Sequence, residues 1–464
     1  MSTDPLNLHH PGLLPVDDAQ RRALHNEVHA RPPERFELPA VLTYVTVLHD
    51  GVSPHDEHAH LKRLPLMDVP AALATQPGNF LRLVLPVGQL RYERHSEFTR
   101  YTLVQPGPDA LAQQPGLAAL PAPMVLPEGW LQGIPGRCMV AIELLLLTQE
   151  LTDPQAVLAR HRLWFDDGPL VASLMGGGHS CAITDFKIRD DGFERIVVLA
   201  PPATSASRAG RISQRLLELE TYRLMALRGL PAAKSLSAML ANAEGELADI
   251  TAHMEGSGTS DHDLLDTLIT SAARVERATA EHGYRFAATQ AYDSLVRQRI
   301  AELREKAIQG TPTIGDFMQR RLSPAMATVS ATSARLASLS QRIERAGALL
   351  RTRVDIATEE QNQQLLAKLT RGQALQLRLQ STVEGLSIAA ISYYVVSLLL
   401  YGAKAARAAG VAINPELAAG LCIPLVLWAV WRATRQVHRR LMGGAIVGGQ
   451  GDSVDGGSAT SKTR

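Results

Sequence analysis

Cysteine is scarce. The three present, Cys138, Cys181 and Cys422, lie far apart with no C-x-x-C pair among 464 residues. That excludes a zinc site built on thiolates, argues against a disulfide scaffold and fits a reduced compartment. An excess of either charge is also missing: 47 Lys+Arg stand against 46 Asp+Glu. A dedicated nucleic-acid binder would show a basic surplus, so no nucleic-acid partner is expected. Only seven of the 47 basic residues are lysine, and the arginines spread along the whole chain, which reads as genomic composition. The opening MSTDPLNLHHPGLLPVDD has no basic n-region and no apolar h-region, so no secretory signal is expected there. There is no G-x-S-x-G, no H-E-x-x-H and no kinase signature. Gly176-Gly177-Gly178 lacks the Lys-Ser/Thr of a phosphate loop and implies only flexibility. No internal repeat is apparent.

What is present divides into zones. With 45% hydrophobic and 20% charged residues the chain folds, and its length suggests two or three domains. After an N-terminal segment (1–35), residues 36–204 are rich in Pro and Gly with short apolar runs. The runs 40–49, 79–87 and 139–147 read as buried strands. Residues 181–200 read as two strands around the turn Asp190-Asp191-Gly192. Helices are expected at 17–30, 54–64 and 153–164, and a proline-rich loop at 105–128. This is an α+β domain, expected to be cytoplasmic. From 205 to 384 strong helix formers dominate, giving a long-helix, coiled-coil-like domain. One heptad seam runs through Leu268, Val275, Val296 and Leu303, with Leu265, Ala272, Phe286, Ile300 and Ala307. It is interrupted by Thr279, His282, Thr289 and Asp293, as a buried polar patch or a helix end would do. A second seam runs through Leu336, Leu339, Ile343, Ala346 and Leu350. Ordinary helix packing and an intermolecular coiled coil both produce such seams. Pro312 and Pro324 are the breakers here. No proline follows until Pro415, so an unbroken helix from Pro324 to Gly402 would measure roughly 115 Å.

The strongest physical signal is at 385–403, nineteen residues without a charge. That nearly matches a hydrocarbon core of about 30 Å. A second segment, 417–431, is fifteen uncharged residues, about 22 Å as a helix. It spans if the helix starts near Val411 and Arg432 snorkels. Pro424 would kink it, and Trp428 and Trp431 suit an interfacial belt. A two-helix transmembrane hairpin (385–435, spans about 385–403 and 413–432) is therefore expected, with the lipid bilayer as partner. Lys368, Arg371 and Arg378 precede it; Arg432, Arg435, Arg439 and Arg440 follow it; the connection holds Lys404 and Arg407. Both termini thus read as cytoplasmic in a multi-pass inner-membrane protein. The tail 436–464 is basic, then Gly/Ser-rich and expected to be disordered.

Four constellations offer chemistry. His49, Asp50, His55, Asp56, Glu57, His58 and His60 crowd twelve residues; His55-x-x-His58 has ligand types but matches no closed metal site, and a polar helix start explains it as well. In 91–101, Glu93, His95 and Glu97 would share one face of an extended strand, with Arg94 on the other. Carboxylates beside an imidazole tune its pKa or hold a divalent ion; a structural ion-pair network at the seam between sheet and helices is the alternative. Arg211, Arg215, Glu218, Glu220 and Arg223 cannot all be satisfied within one helix and call for partners elsewhere, or form a solvated face. Glu384, Ser392, Tyr393, Tyr394 and Ser397 are candidate positions for a pore or for contact between membrane helices. No residue is assigned to catalysis, a cofactor or a metal.

Longer stretches carry a resemblance: His29-Ala30-Arg31-Pro32, ERHSEFT (93–99), Thr184-Asp185-Phe186, RAGRISQRLLELETYRLMAL (208–227), YRFAATQAY (284–292), RRLSPAM (320–326), LRTRVD (350–355) and 376–402. Over about residues 20–435 the chain resembles a bacterial family of predicted membrane-anchored proteins, domain of unknown function 3422. Tyr92 stands where the family leads one to expect Trp. The resemblance implies architecture and location but no activity. Only the layout is similar to CorA-type magnesium channels. Their Gly-Met-Asn signature is absent, Tyr401-Gly402-Ala403-Lys404 standing in its place, and Lys404 would repel a divalent cation. The expectations are an oligomeric scaffold or regulatory protein, a homo-oligomer through its long helices; a cation channel or transporter; or a membrane-tethered enzyme using Glu93, His95 and Glu97.

Overall fold

The computed structural model describes residues 18–22, 24–25, 34–68, 78–108, 111, 126–256, 260–410 and 414–445, with side chains omitted at 435 and 437–445. The His29–Pro32 motif, half of the 17–30 segment and most of the 105–128 segment, Val411, the side chains of Arg435, Arg439 and Arg440, and the tail beyond 445 lie outside the described residues. Composition divides the chain near 204 and 384, but packing divides it into two compact units, Met1–Leu350 and Arg351–Arg464.

The first unit is an α/β assembly on a mixed nine-stranded sheet. The strands are β1 (Ala40–Leu48), β2 (Phe80–Val84), β3 (Gln89–Arg94), β4 (Phe98–Pro106), β5 (Arg137–Thr148), β6 (Val171–Met175), β7 (Ser180–Thr184), β8 (Glu194–Ala200) and β9 (Lys306–Ala307). Their order is β2-β3-β4-β1-β5-β8-β7-β6-β9. Neighbours run antiparallel except β5 and β8, which are parallel. β1 is an interior strand between β4 and β5, Leu42 opposite both Val104 and Leu144. Its largely apolar sequence, AVLTYVTVL with only Thr43 and Thr46 polar, is what a strand covered on both faces requires. Alternation by two sends Leu42 and Tyr44 to one core and Val41, Val45 and Val47 to the cores on the opposite face.

Local chemistry sets the helices. α1 (Pro54–Leu61) opens with a capping box between Ser53 and Asp56, and α2 (Pro154–His161) with the Asp153 cap and Pro154 in its first turn. The helical part of the unit comprises α3 (Ala206–Leu227), α4 (Gly229–Glu255), α5 (Asp261–Leu303), α6 (Ile314–Arg321) and the start of α7 (Ser323–Ala408). α3, the C-terminal half of α5 and α6 cover the Leu42–Tyr44 face of the sheet. α4, the N-terminal half of α5 and the start of α7 close a second core. Two glycines permit close approach. A Cβ on Gly210 would overlap the carbonyl of Glu34, and one on Gly229 would meet the Thr289 side chain, 3.1 Å from its Cβ.

The seams are therefore used within the chain. Leu268, Val275, Phe286, Val296 and Leu303 are buried, as are Leu336, Leu339, Ile343, Ala346 and Leu350. Thr289, an interruption of the first seam, is buried against Gly229. Ala307 departs from the expectation: α5 ends as Arg304 turns left-handed (φ 48), and Ala307 pairs with Ser173 in β9. Residues 91–101 are not one strand but β3, a reversal at 95–97, and β4.

The second unit holds the rest of α7 and α8 (Pro415–Ala445). Both helices are long and apolar enough to cross a membrane, and 6% and 11% of their most apolar stretches is buried. Leu386, Tyr393, Tyr394, Leu398, Leu417, Leu421 and Leu425 are each at least two-thirds exposed. The burial expected of a soluble core helix is missing here.

Candidate functional site

Where the sheet meets α3 and α5, side chains of alternating charge form a continuous line. Arg91 pairs with Glu34 and, at 2.7 Å, with Glu93. The other oxygen of Glu93 takes Arg100 at 2.6 Å. Arg100 continues to Glu218 at 3.3 Å, and Glu218 accepts from Arg299 Nε at 2.6 Å. Arg299 reaches Glu302 at 3.0 Å, and Glu302 pairs with Arg215 at 3.0 Å. Four acids and four arginines alternate, so the line is neutral as a whole. Its first five members, from Glu34 to Glu218, are buried. The alternation of β3 aims Arg91 and Glu93 to the same side, and the α3 and α5 residues supply the opposite bank.

The electrostatics follow from that geometry. Burial opposes charge on Glu218, but Arg100, Arg299 and an amide hydrogen bond from Gln214 outweigh it and hold its carboxyl below the ordinary range. Burial opposes the charge of Arg100 too, yet Tyr44, Glu93 and Glu218 drive its guanidinium above the usual value. Glu34 is raised: burial there exceeds the pull of Arg91.

The other expected site residues disperse from Glu93. Arg94 points to the far side and pairs with Glu57, which also accepts from Tyr92 and Thr99 at 2.7 Å each. Glu97, in the reversal, pairs with Arg285 and lies 3.8 Å from Arg228. His95 is half-buried and stacks on Phe98, centroids 4.6 Å apart. Glu93, His95 and Glu97 therefore do not share a face, because the chain reverses between them. The histidine-rich stretch is also taken up locally. Asp56 caps α1, His58 packs edge-on to Tyr92, His60 stacks on Trp130, and His49 bonds Thr99 and Ser96. Burial lowers the pKa of both His58 and His60. Among the described residues no group of three or more His, Cys, Asp or Glu side chains is placed to hold a metal ion.

Of the crowded charges of α3, Glu218 and Arg215 find partners on other elements, as above; Arg223 pairs with Glu220 of its own helix and approaches Glu194 of β8, and Arg211 is exposed. Sequence reasoning missed Glu34, Arg91, Arg100, Glu194, Arg299 and Glu302. The one available signal was the i, i+2 pair Arg91 and Glu93. Three cavities, of about 520, 440 and 540 Å³, are lined by other residues. In the second unit Ser392 is buried, Ser397 and Glu384 are half-buried, and Tyr393 and Tyr394 are exposed. These five do not line one face.

Comparison with known proteins agrees with the resemblance in the motifs. The model of a family described as "Protein of unknown function (DUF3422)" matches residues 16–441. No curated protein matches the chain, and no solved structure does. The segments 93–99, 208–227 and 284–292 meet around the charge line.

Proposed function

The chain belongs to the DUF3422 family, and from that premise we propose that it is a membrane-anchored scaffold or regulatory protein whose first unit faces the cytoplasm. The observation that carries this is the bare apolar surface of the second unit: Leu398 is 71% and Leu421 83% exposed. Water does not tolerate such a surface all round a helix; lipid does. The two apolar segments act as a transmembrane hairpin with both termini on the inner side, in keeping with the basic residues that flank it. Glu93 speaks against an enzyme at the charge line: both its oxygens are bonded to buried arginines, leaving no lone group to attack a substrate or move a proton. A CorA-like channel lacks support of its own, since the polar positions of the first apolar segment do not share a face.

Residues 351–384 of α7 supply the association surface. Leu365, Leu369, Leu379 and Val383 are each more than half exposed and recur at helical spacing. A second copy, anchored in the same membrane, covers them. The test is an alkaline wash of native membranes followed by mass measurement of the solubilised complex. Retention in the membrane pellet and a mass above one chain are expected. Release into the supernatant would defeat the anchor, and a strictly monomeric complex would defeat the assembly.

A further inference from the structure

The junction of β8 with α3 buries one negative charge too many. Glu194 and Glu220 are 4% and 1% exposed, and Arg223 is the guanidinium between them. Arg223 Nε donates to both oxygens of Glu220, at 3.0 and 2.8 Å, but its approach to Glu194 is 3.9 Å. Glu194 Oε2 has no donor among the described residues, and the Glu194 carboxyl lies close enough to that of Glu220 for the two to interact. Two carboxylates cannot bond each other, but one proton between them makes a hydrogen bond. The other charges nearby are already committed. Asp185, after β7, pairs with Arg189 at 3.2 Å. Arg195, next on β8, pairs with Glu143 at 2.7 Å.

The junction also touches a strained residue. Phe186 has φ +52, a region side chains rarely adopt and keep only where surroundings hold them. Its ring lies 5.7 Å from the Arg223 guanidinium and stacks on Phe317 of α6, centroids 4.6 Å apart and 12° from parallel. A contiguous path thus runs from Glu194 through Arg223 and Phe186 to α6.

We propose that Glu194, Glu220 and Arg223 form a proton-binding site that couples the sheet to α6: one proton bridges the two carboxyl groups, and its loss draws Arg223 off Phe186 and loosens the Phe186–Phe317 stack. On release the proton passes to water and Glu194 becomes a second anion beside Glu220. Burial first, and the charge of Glu220 second, push Glu194 up to about 9. The site is therefore filled at neutral pH and empties in alkali. The folded value lies above the ordinary 4.5, so the native chain holds a proton the unfolded chain has lost. Stability from this site is complete below about 4.5 and declines as pH rises toward 9.

Infrared difference spectroscopy of the full chain in bilayers, between about pH 7 and pH 10, reads the proton directly. Wild type should show a protonated-carboxyl stretch at pH 7 that disappears at pH 10, and Glu194→Gln should lack that component. Subtracting the variant separates it from Glu34 and Glu305, whose carboxyls burial also raises. If Glu194→Gln does not fold, Glu220→Gln serves: Glu194 alone with Arg223 should ionise, and the component should again be lost. Its persistence in the variant measured, or its absence from wild type, would overturn the site. Hydrogen exchange reads the coupling. Peptides over 185–193 and 314–322 should exchange severalfold faster at pH 10 in wild type, after correction for intrinsic rates, and not in the variant. Equal change in both would overturn the link to α6.

Discussion

Replacing Arg100 by Met keeps the bulk of the side chain and deletes the positive charge at the centre of the line. Removing one partner of a buried ion pair costs about 3–5 kcal/mol, because the remaining charge is left uncompensated. Two carboxylates lose a partner here, but neither is abandoned. Glu93 keeps Arg91 at 2.7 Å, and Glu218 keeps Arg299 at 2.6 Å and Gln214 at 2.8 Å. The lower end, about 3 kcal/mol, is therefore expected. Urea unfolding followed by tryptophan fluorescence measures it, with Trp130 and Trp164, both fully buried in this unit, as reporters. The double change Glu93→Leu with Arg100→Met is the sharper test. It leaves Glu34–Arg91 and Glu218–Arg299 as intact neutral pairs, and should be at least about 1 kcal/mol less damaging than Arg100→Met alone. A cost for Arg100→Met below about 1 kcal/mol, or simple addition of the two single effects, would refute the picture of a line held by alternation.

Other expectations are more compact. Arg137→Met breaks a pair with Asp50 in which both side chains are more than half exposed; it should cost less than about 1 kcal/mol in the same titration. Gly210→Ala drives a methyl into the Glu34 backbone and should lower stability by about 1–3 kcal/mol or more, whereas Gly245→Ala, with open space around it, should be neutral or stabilising. Buried His161, held down to about 4 by burial and then Arg160, is neutral when folded. Its stability is complete above the ordinary 6.5 and is lost as pH falls toward 4, so His161→Phe should flatten the acid side of a stability–pH profile; an unchanged profile would contradict this. Maleimide should label exposed Cys138 in the native protein and spare Cys181, whose thiol burial pushes up to about 12.

Apolar runs made much of this fold legible. β1, β2, β5, β7 and β8 lie where short hydrophobic stretches and turn residues place them, and the two apolar segments stand out because nineteen and fifteen residues pass without a charge. The hairpin of β3 and β4 was hidden because its reversal, His95-Ser96-Glu97, has none of the Gly, Asn or Pro that mark a tight turn. β9 is two residues long, too short for any periodicity, and exists because Arg304 ends α5 beside β6. β6 is hidden because it is five residues long and lies between a short 3-10 helix, Arg162–Trp164, and the glycines of the following turn. At the charge line, sequence alone singled out Glu93, Glu218 and Arg215. Their partners are separated by up to 118 residues, in the case of Arg100 and Glu218, and no local pattern encodes such a pairing. Alternation across β3 gave a half-signal; tertiary packing supplied the rest.

Because the line joins strands β3 and β4 to helix α5, a ribosome delivers its members in instalments. Arg100 leaves the exit tunnel long before Arg299. At ordinary elongation rates the gap is roughly 10–40 s. Through that interval the early members, Glu34, Arg91, Glu93 and Arg100, already balance one another, but the sheet face they sit on is uncovered, a natural moment for a holding chaperone to engage. The last cation arrives, and the face is sealed, before the first apolar segment has been translated.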